Sequence, residues 1–199
     1  DIVLCKGVHK SYDFDRYVDQ IFNTGYIPET STYYGTHSHI DCLHVNSPSM
    51  ALINNRTRQL ICGKNIHERR NVASLISLIS AIAALENMSA DEVVTVSARV
   101  NNYTTGCRKF GIKPGEKYML KDLVFIALKY GAADAIYAIA LYYSNDLNRF
   151  MQIINRVLRK AGAANTFCIG PYGKMNAGCY STAYDMALIA AYGMHNDMF

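Results

Sequence analysis

Apolar and polar positions are patterned differently on the two sides of Ser49. Residues 1–48 are rich in Tyr, His and Asp and show weak periodicity. From Ser49 onward the elements become legible. Two short apolar runs, 50–53 and 59–62, flank Asn54-Asn55-Arg56-Thr57, which predicts a β-hairpin. A helix is predicted over 73–85, capped by Asn71 or the residues just before it, with Leu75, Leu78, Ile79, Ile82 and Leu85 as its apolar stripe. Residues 91–99, with Val93, Val94 and Val96, read as extended. Lys113-Pro114-Gly115-Glu116 reads as a turn. Residues 120–143 predict two helical pieces broken near Tyr130-Gly131. Residues 147–161 predict an amphipathic helix with Phe150, Ile153, Ile154, Val157 and Leu158 on one side and Gly162 as its C′ residue. Pro171-Tyr172-Gly173 is a loop. Thr182-Ala183-Tyr184-Asp185 resembles a capping box opening a helix to about His195. A hairpin followed mainly by helices predicts an α+β fold.

Composition narrows the function only a little. The 199 residues, 50% of them hydrophobic, suffice for one domain with a sizeable core. The net charge of +4 is mild and scattered. It permits contact with anionic surfaces, but no basic run with interleaved aromatics points to nucleic acid. No apolar run approaches the roughly 18 residues of a membrane span. The chain opens at Asp1 without a signal-like segment, as expected of a mature chain or of a fragment. Cysteines stand at 5, 42, 62, 107, 168 and 179, and none forms a CxxC pair, which argues against a four-thiolate zinc site. An even count allows disulfides, while the plainer expectation is that most are small buried hydrophobes. No cofactor is assigned.

Four segments then align with one known pattern. Lys64–Glu86 (KNIHERRNVASLISLISAIAALE) resembles the nucleophile-bearing segment of serine D-Ala-D-Ala carboxypeptidases. FGIKPGEKYMLKDLVFIALKYGAADAIYAIA resembles the segment that carries their second motif. AGAANTFCIGPYG resembles the loop after it, and CYSTAYDMALIAAYG matches their Tyr-Ser-Thr-Ala-Tyr-Asp-Met-Ala helix. The likeness covers about residues 50–197 in the family's order. It implies a β-lactamase/transpeptidase-like fold, with an N-terminal hairpin and a mainly helical region. Residues 1–48 would be an extension of unknown role, and 49–199 the carboxypeptidase-like domain. It also implies an extracytoplasmic or cell-envelope setting.

The same resemblance exposes departures. In S-x-x-K a lysine three residues after the serine accepts its proton, because an unassisted hydroxyl is a poor nucleophile. Ser74 holds the nucleophile position, and Ser77 stands where the lysine would be. Losing a general base costs about 10²–10⁴-fold in rate. Alignment on Asp134-Ala135 puts Gly131 and Ala133 where S-x-N has its Ser and Asn, and neither side chain hydrogen-bonds. Tyr130 is a weak substitute base, one residue out of register. Asp134 and the Lys113–Glu116 turn read as architecture, with Asp134 bonding around the helix start. No K-T-G occurs, and Lys6-Gly7 is the nearest fragment. The strand that carries K-T-G would follow the 180–195 helix, so the C-terminal sheet strands are expected to be missing from this chain. A lone hairpin is marginal. It would also leave an exposed edge and an uncovered apolar face, so its sheet is expected to be completed by residues 1–48, by a second polypeptide, or by a missing C-terminal part.

A second cluster, His37, His39, Asp41, Cys42 and His44, places His37, His39 and Asp41 on one face of an extended strand, a weak metal candidate. Three functions follow. The first is an impaired carboxypeptidase scaffold that binds a peptidoglycan stem peptide or a protein partner. The second is an active acyl hydrolase using Ser74 with an unrecognised base. The third is an assembly module that completes its sheet with another chain.

Overall fold

A computed structural model describes residues 2–4, 46–173 and 178–199. Its elements are β1 (Ile2–Leu4), β2 (Met50–Asn54), β3 (Leu60–Lys64), α1 (Ile76–Asn87), β4 (Val93–Thr95), α2 (Val100–Tyr103), β5 (Lys117–Met119), α3 (Leu120–Tyr130), α4 (Ala133–Tyr143), α5 (Leu147–Ala161) and α6 (Ala183–Gly193). A single 3-10 turn, Ala73–Leu75, precedes α1.

The predicted hairpin is β2–β3. Asn54 makes its turn: the side-chain Oδ1 accepts from the Arg56 and Thr57 N–H groups, each at 2.9 Å, an Asx-type turn. The register runs Met50↔Lys64 to Leu52↔Cys62, then slips at a bulge so that Ile53 faces Leu60. The third strand comes from the start of the chain, with β1 lying antiparallel on the other side of β2 (Ile2↔Asn54, Leu4↔Leu52). Of the three ways of completing the sheet, residues 2–4 therefore supply one strand. Nor is the apolar face uncovered as expected, because α6 packs on it. Ala51 and Ile53 are buried with Ala187, Leu188 and Ala191. A second, two-stranded sheet pairs β4 with β5 (Val93↔Met119, Thr95↔Lys117), closed by the Lys113–Glu116 turn, where Glu116 accepts from the Lys113 N–H.

The helical half matches the predicted breaks. Gly131 ends α3 at φ 61, in the left-handed region that glycine enters without a Cβ penalty, and Gly162 ends α5 at φ 79. Asp146 caps α5 through the Asn148 N–H, and its inward face is Phe150, Ile153, Ile154, Val157 and Leu158, all buried. Thr182 caps α6 by accepting from Asp185 N–H at 3.1 Å. The Asp185 carboxylate turns outward from its own helix end and accepts from the Asn165 N–H and the Thr166 hydroxyl, which fastens the preceding loop to α6.

One helix departs from expectation. The stripe predicted for 73–85 included Leu75, which is half exposed, and Leu78 and Leu85, which are only partly buried. Ile79 and Ile82 of that stripe are buried as predicted, and Ile76 and the alanines 81, 83 and 84, outside it, are buried with them. The reason is tertiary: α1 packs against α3, α4, α5 and α6 together. A helix enclosed on most sides buries small residues all round and has no single stripe.

Candidate active site

The site is built where the 3-10 turn enters α1. Asn71 Oδ1 accepts the Ala73 N–H at 2.9 Å, but Asn71 is not the cap expected from the sequence, because the N-cap residues of the 3-10 turn and of α1 are Val72 and Leu75, with no side-chain cap bond. Ala73 takes φ 44, a left-handed conformation unusual for a residue with a Cβ. Immediately after this bend, Ser74 projects to the surface. Among the described residues its hydroxyl forms no hydrogen bond.

What holds the bend is a close backbone approach. A Cβ added to Gly173 would lie 1.8 Å from the Ala73 carbonyl oxygen, so no side chain fits there. The two residues before it tie the same segment down. The Pro171 carbonyl accepts from the Ser80 hydroxyl at 2.5 Å. The Tyr172 hydroxyl donates to the Gly131 carbonyl at 3.0 Å. Burial, and after it the neighbouring Cys107, push the Tyr172 phenol above its usual pKa, so it stays protonated as a donor. The Pro171-Tyr172-Gly173 loop thus clamps the start of α1 to the end of α3. Its sequence marks it only as a turn, because its partners lie about 40 to 100 residues away.

Gly131 faces the serine. A Cβ built on it would stand 4.0 Å from Ser74 Oγ and 3.9 Å from Arg108 Cδ, in otherwise open space. The structure therefore brings Ser74 and Gly131 together across a small cleft with the Arg108 stem beside them. Ala133, two residues on, is fully buried in the core. Ser77, one helical turn below Ser74, is 2% exposed, and among the described residues its hydroxyl has no hydrogen-bond partner. Tyr130 is engaged elsewhere: its ring packs on Phe110 at 5.1 Å, with Lys129 Nζ 5.6 Å from its centroid. His37, His39, Asp41, Cys42, His44 and Lys6-Gly7 lie outside the described residues. Among the described residues no group of three metal-ligating side chains occurs.

Asp134 works on a larger scale than expected. Its buried carboxylate accepts from Phe110, Gly111 and Ile112 N–H at 2.8–3.0 Å, as well as from Ala135 N–H in its own helix start. Three backbone donors from the 110–112 segment and one from the start of α4 converge on this one carboxylate. In return, it fixes the irregular 110–112 segment against α4. The Ala133 N–H adds a bond to the Arg108 carbonyl at 2.9 Å, so the 108–112 segment is held against the start of α4, with the Arg108 stem beside Gly131.

This arrangement has known counterparts. Residues 36–198 match the family described as D-alanyl-D-alanine carboxypeptidase. Among curated proteins, the chain is 28% identical over 146 residues to D-alanyl-D-alanine carboxypeptidase DacF of Bacillus subtilis, which covers 71% of this chain and 37% of that protein. It is 25% identical to DacD of Escherichia coli over 77% of this chain and 42% of that protein. The chain thus spans about two fifths of the curated relatives it matches. The crystal structure of DacD from Francisella tularensis superposes with a TM-score of 0.69 at 28% identity, over 77% of this chain and 38% of the other. A D-alanyl-D-alanine carboxypeptidase structure from Mycobacterium tuberculosis, at 21% identity and TM-score 0.70, shares the fold. No helix among the described residues is long and apolar enough to cross a membrane. With its helical half, its hairpin and the segment around Ser74 all falling inside the matched span, the chain belongs to the D-alanyl-D-alanine carboxypeptidase family.

Proposed function

We propose that this chain is a catalytically impaired D-alanyl-D-alanine carboxypeptidase-like protein of the cell envelope, whose cleft binds peptides ending in D-Ala-D-Ala without cleaving them. One observation carries the reading: Ser74 faces a glycine, Gly131, and has a buried serine, Ser77, one turn below it. Neither position holds a group that takes a proton near neutral pH. Turns and caps around the cleft are intact, so the shape of a peptide site is kept while its chemistry is not. Ser74, Arg108 and the 108–112 segment would contact the bound peptide.

The test uses an N-acylated L-Lys-D-Ala-D-Ala tripeptide. Ligand-observed NMR is expected to show binding, weakened by Arg108→Ala, while assay of free D-Ala shows no release above the uncatalysed rate. Release of D-Ala that disappears in Ser74→Ala would overturn the impaired reading in favour of an active acyl hydrolase. Absence of any binding would overturn the peptide-binding half.

A further inference from the structure

We infer that Cys168 and Cys179 form a cross-strand disulfide, a modification site that clamps the segment entering the cleft floor. The inference does not depend on the function proposed above. The ladder geometry carries it. Phe167 and Tyr180 exchange both backbone hydrogen bonds, Phe167 N–H to Tyr180 O at 2.9 Å and Tyr180 N–H to Phe167 O at 3.0 Å. That makes them a hydrogen-bonded antiparallel pair. The residues one step beyond, Cys168 and Cys179, then occupy a non-hydrogen-bonded pair position, where Cα atoms stand about 4.5 Å apart with side chains adjacent. A disulfide accepts Cα separations of about 4.4–6.8 Å.

The pair on the other side of Phe167 and Tyr180 shows that the register holds. Thr166 and Ser181 meet through their hydroxyls at 2.7 Å. Alternate residues of a strand share a face, so Cys168 and Cys179 project to that same side. Both are buried, 6% and 4% exposed, and both belong to the main core. Both are free thiols in this structure. Burial, and then the neighbouring Cys179, push the Cys168 thiol up to about 12, so little thiolate forms while the chain is folded and exchange is slow. From Cys168 the chain runs directly to Pro171, Tyr172 and Gly173, which lock onto Ser80, Gly131 and Ala73. The bond would therefore fasten that lock to the strand leading into α6.

The oxidant is a low-molecular-weight disulfide such as oxidised glutathione. One cysteine loses its proton and attacks a glutathione sulfur, releasing one glutathione thiolate. The other cysteine, deprotonated in turn, attacks the mixed disulfide at the protein sulfur and releases the second. Two protein thiols are oxidised by two electrons, and one glutathione disulfide is reduced to two thiols.

The folded full-length chain is held with oxidised glutathione at pH 8 until labelling by maleimide stops changing, then alkylated and digested with trypsin without reduction. Cleavage after Lys174 separates the two cysteines. The expected result is peptide 161–174 joined to peptide 175–199, together with a rise in Tm of about 5–10 °C over the reduced protein that is absent in Cys179→Ala. Recovery of Cys168 and Cys179 both alkylated, either one capped by glutathione, or either one joined to Cys107 would overturn the inference. The peptide readout needs only the wild-type chain, so a poorly folding variant leaves it intact.

Discussion

The floor of the cleft and the frame around it differ in how many interactions each residue makes. In the frame, Asp134 takes four backbone N–H donors, Asp185 takes one N–H and one hydroxyl, and Gly173 sits against a carbonyl with no room to spare. On the floor, the hydroxyls of Ser74 and of the buried Ser77 are unbonded among the described residues, and Gly131 offers open space. Dense bonding in the frame fixes the position of Ser74, beside which the structure places Gly131 and, one turn below, the buried Ser77. Shape and chemistry are thus separable in this chain: helix ends, caps and close approaches set where Ser74 stands, and a different, small set of side chains would decide whether it reacts.

That contrast can be broken from the frame side. Asp134→Ala removes the acceptor for Phe110, Gly111 and Ile112 N–H in a buried site. It is expected to cost about 4 kcal/mol in urea unfolding, since each charge-assisted bond contributes about 1.5–3 kcal/mol and the orphaned donors add a penalty. Gly173→Ala forces a methyl into the Ala73 carbonyl and is expected to cost about 3 kcal/mol. It should also change amide exchange at residues 73–75, where the backbone must retreat. A loss below about 1 kcal/mol in either variant would mean that the frame is less tightly specified than the bonding indicates.

Two buried groups of the frame add a dependence on alkaline pH. Burial raises the Tyr137 phenol to about 12, and the Cys168 thiol likewise. Both groups are neutral when protonated, so the fold prefers the protonated form, whereas the unfolded chain ionises near the model-peptide values of 9.0 and 10.0. Their contribution is fully present below about pH 9 and is lost as pH rises toward about 12. Denaturation midpoints under reducing conditions are expected to be flat up to pH 9 and to fall beyond it. In the oxidised protein the Cys168 part of that fall should vanish.

The smallest effects make the sharpest comparison, because they lie three residues apart on one helix. Ser80→Ala deletes a bond to the Pro171 carbonyl and is expected to destabilise by about 1 kcal/mol. Ser77→Ala deletes a buried hydroxyl that bonds nothing among the described residues and is expected to stabilise by about 1 kcal/mol. Equal losses in the two variants would show that Ser77 has a partner, such as a buried water, and that the floor is better satisfied than described.

Much of the frame was legible in the sequence because it is written locally. Asn54 turns the hairpin, Gly131 and Gly162 end helices, and Thr182 opens one, each through neighbours within a few residues. The all-round burial of α1 was not legible, because periodicity reports one face and says nothing of four packed neighbours. Nor were the long-range ties: Asp134 was expected to serve its own helix start, and it chiefly serves a segment more than 20 residues earlier. Tyr172 and Gly173 carried only a turn signal. At the site, Ser74 and Gly131 could be paired only by resemblance, and the structure supplies the distance between them. The metal candidates His37, His39 and Asp41 lie outside the described residues, so the geometry adds nothing to them.

The central claim, that Ser74 is positioned but not activated, is tested most directly by intact-mass analysis after incubation with a reactive penicillin, with Ser74→Ala as control and circular dichroism confirming that both proteins are folded. No mass gain is expected in either protein. A gain of one opened β-lactam on the wild-type chain, absent from Ser74→Ala, would contradict it and would show that a base outside the described cleft reaches the serine.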